Sequence, residues 1–382
     1  MMISDLPNDL ESDILSRVPA KSLWELRTTC KRWYALFRDR EFAEKNKRLG
    51  ESVKESMLLS DLSVYAIAGG DLLQNNNGSI EFTGKLTNLN GSSDLKISEI
   101  FHCDGLMLCS MASELVVWNP CTGQTRSIEP RTSYRYDDAC ALGYTTSSSS
   151  GHRSYKILRR FYRQNDKKVL GEIYDLSSDS WRVLDDTFTP LGYSVNHNGV
   201  SLKGDAYFVA PRGKGTDAFL ITKFDFTTET LVPLSLPFQY LLTREKAFLS
   251  VVRDKKIALL HVLSSGGTMS IWVTNKIDDE AKDLSWGSDF VMGIGSYEKN
   301  MYLESFLFDE ENKVAVLSCA VDLRRKYFTR IYVDDGYLEK QVYEGKTSTF
   351  DWPRIITYAP SLVHIPKSTP TRRQKKQRLA IP

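Results

Sequence analysis

Two hydrophobic periods divide this chain. Over the first forty residues, apolar positions recur every three or four places. Leu10, Ile14 and Val18 fall at four-residue spacing, the stripe of a helix face. Pro7 suits the first turn of that helix, Asp9, Glu11 and Asp13 suit the positive end of its dipole, and Pro19 stops it. Ser22 and Glu25 have the spacing of a capping box, which predicts the start of a second helix there. Leu23, Leu26, Cys30, Trp33, Leu36 and Phe37 continue the helical period, with a break predicted near Thr28 and Thr29 to give a third helix. Leu6, Leu10, Ile14, Leu15, Val18, Leu23, Trp24, Leu26, Trp33, Leu36 and Phe37 all need cover. So small a module buries only part of that surface, and the remainder predicts an interface.

From about residue 55 the period changes to short β-rich runs broken by turn residues. Three stretches align without a gap: Val116–Arg126, Glu172–Arg182 and Thr222–Val232. Each has an aromatic residue, then Asn or Asp, a Ser/Thr-rich turn and a second strand. The Asx side chain can accept backbone N–H bonds two residues on and so set the turn. Looser relatives centre on Tyr65, Trp272 and Tyr332. The six aromatics Tyr65, Trp118, Tyr174, Phe224, Trp272 and Tyr332 are separated by 53, 56, 50, 48 and 60 residues. A period near 50 with several strands per unit is that of a kelch-like β-propeller. Gly204-Asp205 and Arg253-Asp254 are expected to punctuate hairpins upstream of the aromatic strands.

Composition narrows the function classes. The 50 basic and 48 acidic residues nearly cancel, so there is no global drive toward nucleic acid or membrane. No run approaches a membrane span, and Asp5, Asp9, Glu11 and Asp13 stand where a secretory signal would be apolar. Six cysteines, Cys30, Cys103, Cys109, Cys121, Cys140 and Cys319, contain no CxxC pair and read as reduced thiols of a nuclear or cytoplasmic protein.

The helical stretch resembles an F-box, on Leu6-Pro7, Asp9-Leu10, Ile14-Leu15, Val18-Pro19, Lys21-Ser22-Leu23, Leu26-Arg27 and Cys30-Lys31-Arg32-Trp33, over residues 4–45. That resemblance implies docking to a Skp-type adaptor, and through it to the cullin and RING subunits of a ubiquitin ligase. The adaptor-facing positions it implies are Leu6, Pro7, Leu10, Ile14, Leu15, Pro19, Leu23 and Leu26. Residues 95–365 resemble the F-box-associated interaction domain of the large plant F-box families. The matching pieces include Asp104-Gly105-Leu106, Trp118-Asn119-Pro120, Leu142-Gly143-Tyr144, Tyr174-Asp175-Leu176-Ser177 and Phe224-Asp225-Phe226. Kelch repeats carry a Gly-Gly pair in each unit, whereas here only Gly69-Gly70 and Gly266-Gly267 occur. That departure leaves blade number and ring closure open.

The expected architecture is an α + β multidomain chain: an all-α F-box over residues 1–46, a linker and first β unit over 47–94, a propeller-like domain of about six irregular units over 95–365, and a basic tail over 366–382. The β domain is expected to hold a protein target. Chemistry of its own is not expected. The five histidines, His102, His152, His197, His261 and His364, form no i, i+4 metal pair, and no nucleophile elbow or phosphate loop is present. No cofactor or metal is therefore expected. His102 beside Cys103 reads either as a thiol–imidazole pair or as a structural strand histidine. Target contact is expected in the polar connections 75–78, 131–138, 145–153 and 211–217. The run Ser147–Ser150 reads as a loop tip or a phosphorylation site. The tail residues Arg372, Arg373, Lys375, Lys376 and Arg378 read as a solvated tail or a nuclear import signal rather than a nucleic-acid patch. Two rivals remain: an F-box scaffold or decoy acting outside a ligase, and a propeller lectin using exposed loop aromatics such as Tyr134 and Tyr136.

Overall fold

The computed structural model describes residues 6–366 except 51–53, 61–62, 68–81, 86–96, 112, 136–137, 150, 164–167, 185–198, 212–217, 239–240, 243–245, 263–267, 276, 278–282, 294–300, 322–325, 334–339 and 347–353. Four helices open the chain: α1 (Asn8–Leu15), α2 (Ala20–Leu26), α3 (Lys31–Leu36) and α4 (Arg40–Leu49). Pro7 precedes α1, and the break at Thr28–Thr29 lies between α2 and α3, as the spacing predicts. Two details differ. Pro19, not Ser22, caps α2, because its fixed φ of −54° already suits a helix entry. A fourth helix follows Asp39, whose carboxylate accepts the Phe42 N–H at 2.9 Å. Its mostly polar sequence hides a narrow stripe of Phe42, Ala43 and Asn46, all buried.

Two polar braces hold the helices together. Glu11 is almost fully buried, accepts the Trp33 indole N–H at 2.7 Å and pairs with Arg32. Asn46 donates to the carbonyls of Ser16 at 3.0 Å and Val18 at 2.7 Å, satisfying acceptors just past α1.

Six antiparallel sheets follow. Blade 1 comprises Arg354–Tyr358, Glu55–Ser60, Ser63–Ile67 and Phe82–Lys85. Blade 2 is Ile97–Cys103, Leu106–Met111, Leu115–Asn119 and Gln124–Ile128. Blade 3 is Ala139–Thr146, Arg153–Arg163, Lys168–Asp175 and Ser180–Val183. Blade 4 is Gly199–Leu202, Asp205–Pro211, Ala218–Asp225 and Thr230–Leu234, with Leu241–Leu242 added beside its third strand. Blade 5 is Lys246–Val252, Lys256–Val262, Thr268–Thr274 and Trp286–Gly293, and blade 6 is Met301–Asp309, Val314–Val321, Lys326–Val333 and Lys340–Lys346. Neighbouring inner strands touch all the way round, and the late strand Arg354–Tyr358 pairs with Glu55–Leu59 to close the ring. Each of the six periodic aromatics lies on the third strand of its blade.

The turn chemistry repeats with them. Asn119, Asp175 and Asp225 end third strands, and each side-chain oxygen accepts the backbone N–H groups two and three residues on at 2.7–3.2 Å. Four residues on, Gly123, Asp179 and Glu229 take positive φ. The Gly204 and Arg253-Asp254 hairpins also turn through positive φ. Trp181 and Trp286, on the outer strands of blades 3 and 5, each donate at 2.9 Å to a carbonyl just past the outer strand of the preceding blade, Glu129 and Ser235. The apolar core lies between adjacent blades and joins Leu108, Val117, Leu142, Ile157, Ile173 and Phe224.

Candidate functional site

In the helical module, a one-residue difference decides which leucine faces out. Leu10 and Ile14 lie one turn apart on α1 and are 51% and 45% exposed, whereas Leu15 is buried. On α2, Leu26 is 38% exposed and Leu23 is completely buried. Leu15 and Leu23 pack with Phe37, Phe42 and Leu362 in the module's core. Of the eight positions expected to face the adaptor, Pro7, Leu10, Ile14 and Leu26 are thus exposed, and Leu6 and Pro19 are half-buried. Leu15 and Leu23 are corrected to core residues.

Among the described residues, seven large hydrophobics are exposed, and five of them, Leu10, Ile14, Leu26, Tyr34 and Leu49, stand on these four helices. Such a concentration on so short a segment is the mark of a docking face. A basic-aromatic ladder accompanies it. The Arg27 guanidinium lies 4.4 Å from the Trp24 ring, and Arg38 lies 4.1 Å from Tyr34. Tyr34 and Arg38 escape a reading based on apolar residues alone, and their four-residue spacing is the signal that would have found them.

A different side of the module is pinned to the ring. Lys21 pairs with Glu55 at 2.6 Å, Glu44 with Arg153 at 3.2 Å, and Lys47 with Asp104. Arg40 donates to the Arg153 carbonyl at 2.8 Å. These ring residues sit at first-to-second-strand hairpins or at the base of blade 1. In a four-stranded antiparallel blade, the second-to-third hairpins and the connections between blades emerge at the opposite end. The ring therefore has a helix-side end and a far end.

This polarity sorts the candidate target loops. The 145–153 connection lies at the helix side, with Arg153 held by Glu44 and Asp104, so it is part of the internal junction. The 131–138 connection, between the outer strand of blade 2 and the inner strand of blade 3, lies at the far end. A fully buried guanidinium organises it. Arg159 reaches Asp138 at 2.6 and 3.0 Å, Glu172 at 3.3 Å, the Thr132 hydroxyl at 3.0 Å and the Ser133 carbonyl at 2.9 Å. Tyr134 is half-buried, with its hydroxyl on Ser110 at 3.1 Å and near Cys140. That is a packed ring and not a free sugar platform. Residues 75–78, Tyr136, 212–217 and the basic residues of the tail lie outside the described residues.

At the helix side a cavity of about 940 Å³ opens on the ring axis, lined by Lys47, His102, Tyr144, Arg153, Asp254 and Glu304 among others. Burial pushes the His102 imidazole down to about 4. Its Nε2 accepts the Gly105 N–H at 3.2 Å, which requires an unprotonated nitrogen there. The Cys103 thiol is pushed up to about 11 by burial and accepts from Ser201. Both shifts oppose a thiolate–imidazolium pair, so the structural reading of His102 stands. Among the described residues no group of three His, Cys, Asp or Glu could hold a metal ion.

Comparison with known sequences agrees with this division. The F-box domain family matches residues 3–45, and the family described as F-box associated beta propeller domain matches residues 55–365. The Arabidopsis thaliana protein At3g17540, named as an F-box/kelch-repeat protein, is 49% identical over 99% of this chain and 98% of its own length. The F-box/kelch-repeat protein At3g17530 of the same plant is 46% identical over 99% of each chain. A solved quinonprotein alcohol dehydrogenase-like protein from Bacteroides thetaiotaomicron shares 11% identity over 80% of this chain and 68% of that one, with a TM-score of 0.38, too distant to bear on activity.

Proposed function

Because this chain belongs to the plant F-box proteins that carry an F-box-associated β-propeller, we propose that it is the target-binding subunit of a Skp–cullin–RING ubiquitin ligase. The observation that carries the reading is the exposed apolar face of Leu10, Ile14 and Leu26 on a module whose other side is pinned to the ring. The adaptor takes that face, and the cullin and RING subunits follow through the adaptor. The far end of the ring, where Arg159 holds Thr132, Ser133 and Asp138, is left for a protein target.

In this reading the chain makes and breaks no bond. It holds target lysines at high effective concentration beside the charged conjugating enzyme, as linked binding modules do. It works in the nucleus, the cytoplasm or both. The test is affinity purification of the tagged full chain from plant cells. Wild type is expected to bring down adaptor and cullin, and Leu10→Glu/Ile14→Glu to lose both while remaining folded. Equal recovery from both forms overturns the reading. The scaffold or decoy alternative is separated by turnover: a receptor's bound protein accumulates when the receptor is removed, and a scaffold's does not.

A further inference from the structure

The last described residues do something that neither module requires alone. After Tyr358 closes the ring, the chain leaves the sheet and runs under the third-to-fourth hairpin of blade 2. Asn119, completely buried, donates to the carbonyls of Ser361 at 2.9 Å and Val363 at 2.8 Å. Its own oxygen is meanwhile occupied by the Cys121 and Thr122 N–H groups. Gln124 accepts the Ile365 N–H at 3.1 Å, and Arg126 donates to the Pro366 carbonyl at 2.8 Å. The blade thereby grips the segment from Ser361 to Pro366.

Side chains of the segment enter both cores, while His364 is exposed. Leu362 enters the helical core with Leu15, Leu23, Phe37 and Phe42. Val363 and Ile365 enter the propeller core with Leu108, Val117 and Phe224. Gly105 leaves room for the segment on the helix side: at φ +77° an added Cβ would stand 2.2 Å from the Ser361 Cβ.

The other links between helices and ring are chiefly ion pairs, such as Lys21–Glu55 and Glu44–Arg153. Lys21 is exposed and its pair is weak and screened by salt, whereas Glu44–Arg153 is partly buried and screened less. Apolar burial is not screened, so the segment, with the smaller contact of Cys121 on the helical core, is a link that persists at high salt.

We propose that residues 359–366 are a positioning strap, which fixes the adaptor-docking face at one angle to the far end of the ring. Asn119 and Leu362 are its positioning residues. The geometric part stands on the packing alone. Its consequence, that the strap sets which lysines come within reach of the conjugating enzyme, rests on the ligase reading.

The test places nitroxide labels at Glu25→Cys on α2 and Ser178→Cys on blade 3, both exposed positions, in a Cys30→Ser background of the full chain. Pulsed electron resonance then reads the distance distribution at low and high salt. Wild type should give one narrow distribution at both. Leu362→Ala/Asn119→Ala should stay narrow at low salt and broaden at high salt, because the attachment then rests chiefly on ion pairs. A purely structural loss would lower the melting temperature without this salt-dependent broadening. Should the double variant fail to fold, Leu362→Ala alone carries the same comparison. A variant that remains narrow at high salt, or a wild type that is already broad there, overturns the strap. None of this needs the adaptor, so failure of the ligase reading would show separately as wild type that binds no adaptor. In the assembled ligase, the conjugating enzyme should modify a wider set of lysines on the strap variant than on wild type.

Discussion

Leu10 and Ile14 on one side of α1, and Leu23 on the inner side of α2, should separate binding from stability. The exposed pair has about half of its surface free to be covered by a partner, at 51% and 45%. Full burial of such a side chain is worth about 1.5–3 kcal/mol, so the exposed half of each contributes about 1 kcal/mol on docking. Leu10→Ala/Ile14→Ala should therefore weaken adaptor binding by about 2 kcal/mol, roughly thirtyfold in Kd. Its effect on folding should stay under about 1 kcal/mol, since surface substitutions cost little and alanine is a good helix former. Leu23→Ala should do the reverse. It empties a fully buried site and should cost about 2–5 kcal/mol of stability, with binding preserved in the fraction that remains folded. Calorimetric titration with purified adaptor and urea unfolding of the same samples measure the two quantities. If the exposed pair destabilised the chain as much as Leu23→Ala does, and affinity fell only with the unfolded fraction, the assignment of inner and outer faces would be refuted.

Further expectations follow from buried charge and from the tail. Arg159→Met removes the guanidinium between Asp138 and Glu172, leaving Asp138 without that buried partner and Glu172 with only the Arg131 pair, a loss of about 3–5 kcal/mol readable by thermal unfolding. The His102 imidazole, lowered by burial from 6.5 to about 4, is neutral in the fold while the unfolded chain protonates first. Its contribution is thus complete above pH 6.5 and is lost as pH falls from 6.5 toward 4, on the order of 3 kcal/mol in all. Urea unfolding across that window should show a shallower pH dependence in His102→Gln, and an unchanged slope would count against the burial argument. Deleting residues 367–382 removes Arg372, Arg373, Lys375, Lys376 and Arg378, and fluorescence imaging of a tagged chain should show a lower nuclear fraction; no change leaves these residues as a solvated tail.

Local chemistry was legible wherever it repeats. The helical spacing placed α1 and the break before α3, and the period near 50 placed one aromatic on the third strand of every blade. The Asx turns at Asn119, Asp175 and Asp225 were legible as well, because a turn depends on side-chain bonds only two or three residues long. Sequence thus determined the two modules, their order and the F-box docking signature. Tertiary structure decided what depends on distant partners. Leu10 and Leu15 are equally apolar, and only the packing of Phe37, Phe42 and Leu362 determines that Leu15 turns inward. The role of Asn119 beyond its own turn requires carbonyls more than two hundred positions away. Arg159 reads as a surface charge until Asp138 and Glu172 are seen closing around it. Ring closure by Arg354–Tyr358, and the strap that follows it, likewise leave no periodic trace. The difference is physical: turns and amphipathic faces are set by near neighbours along the chain, whereas burial and long-range hydrogen bonds exist only once the blades have closed around one another.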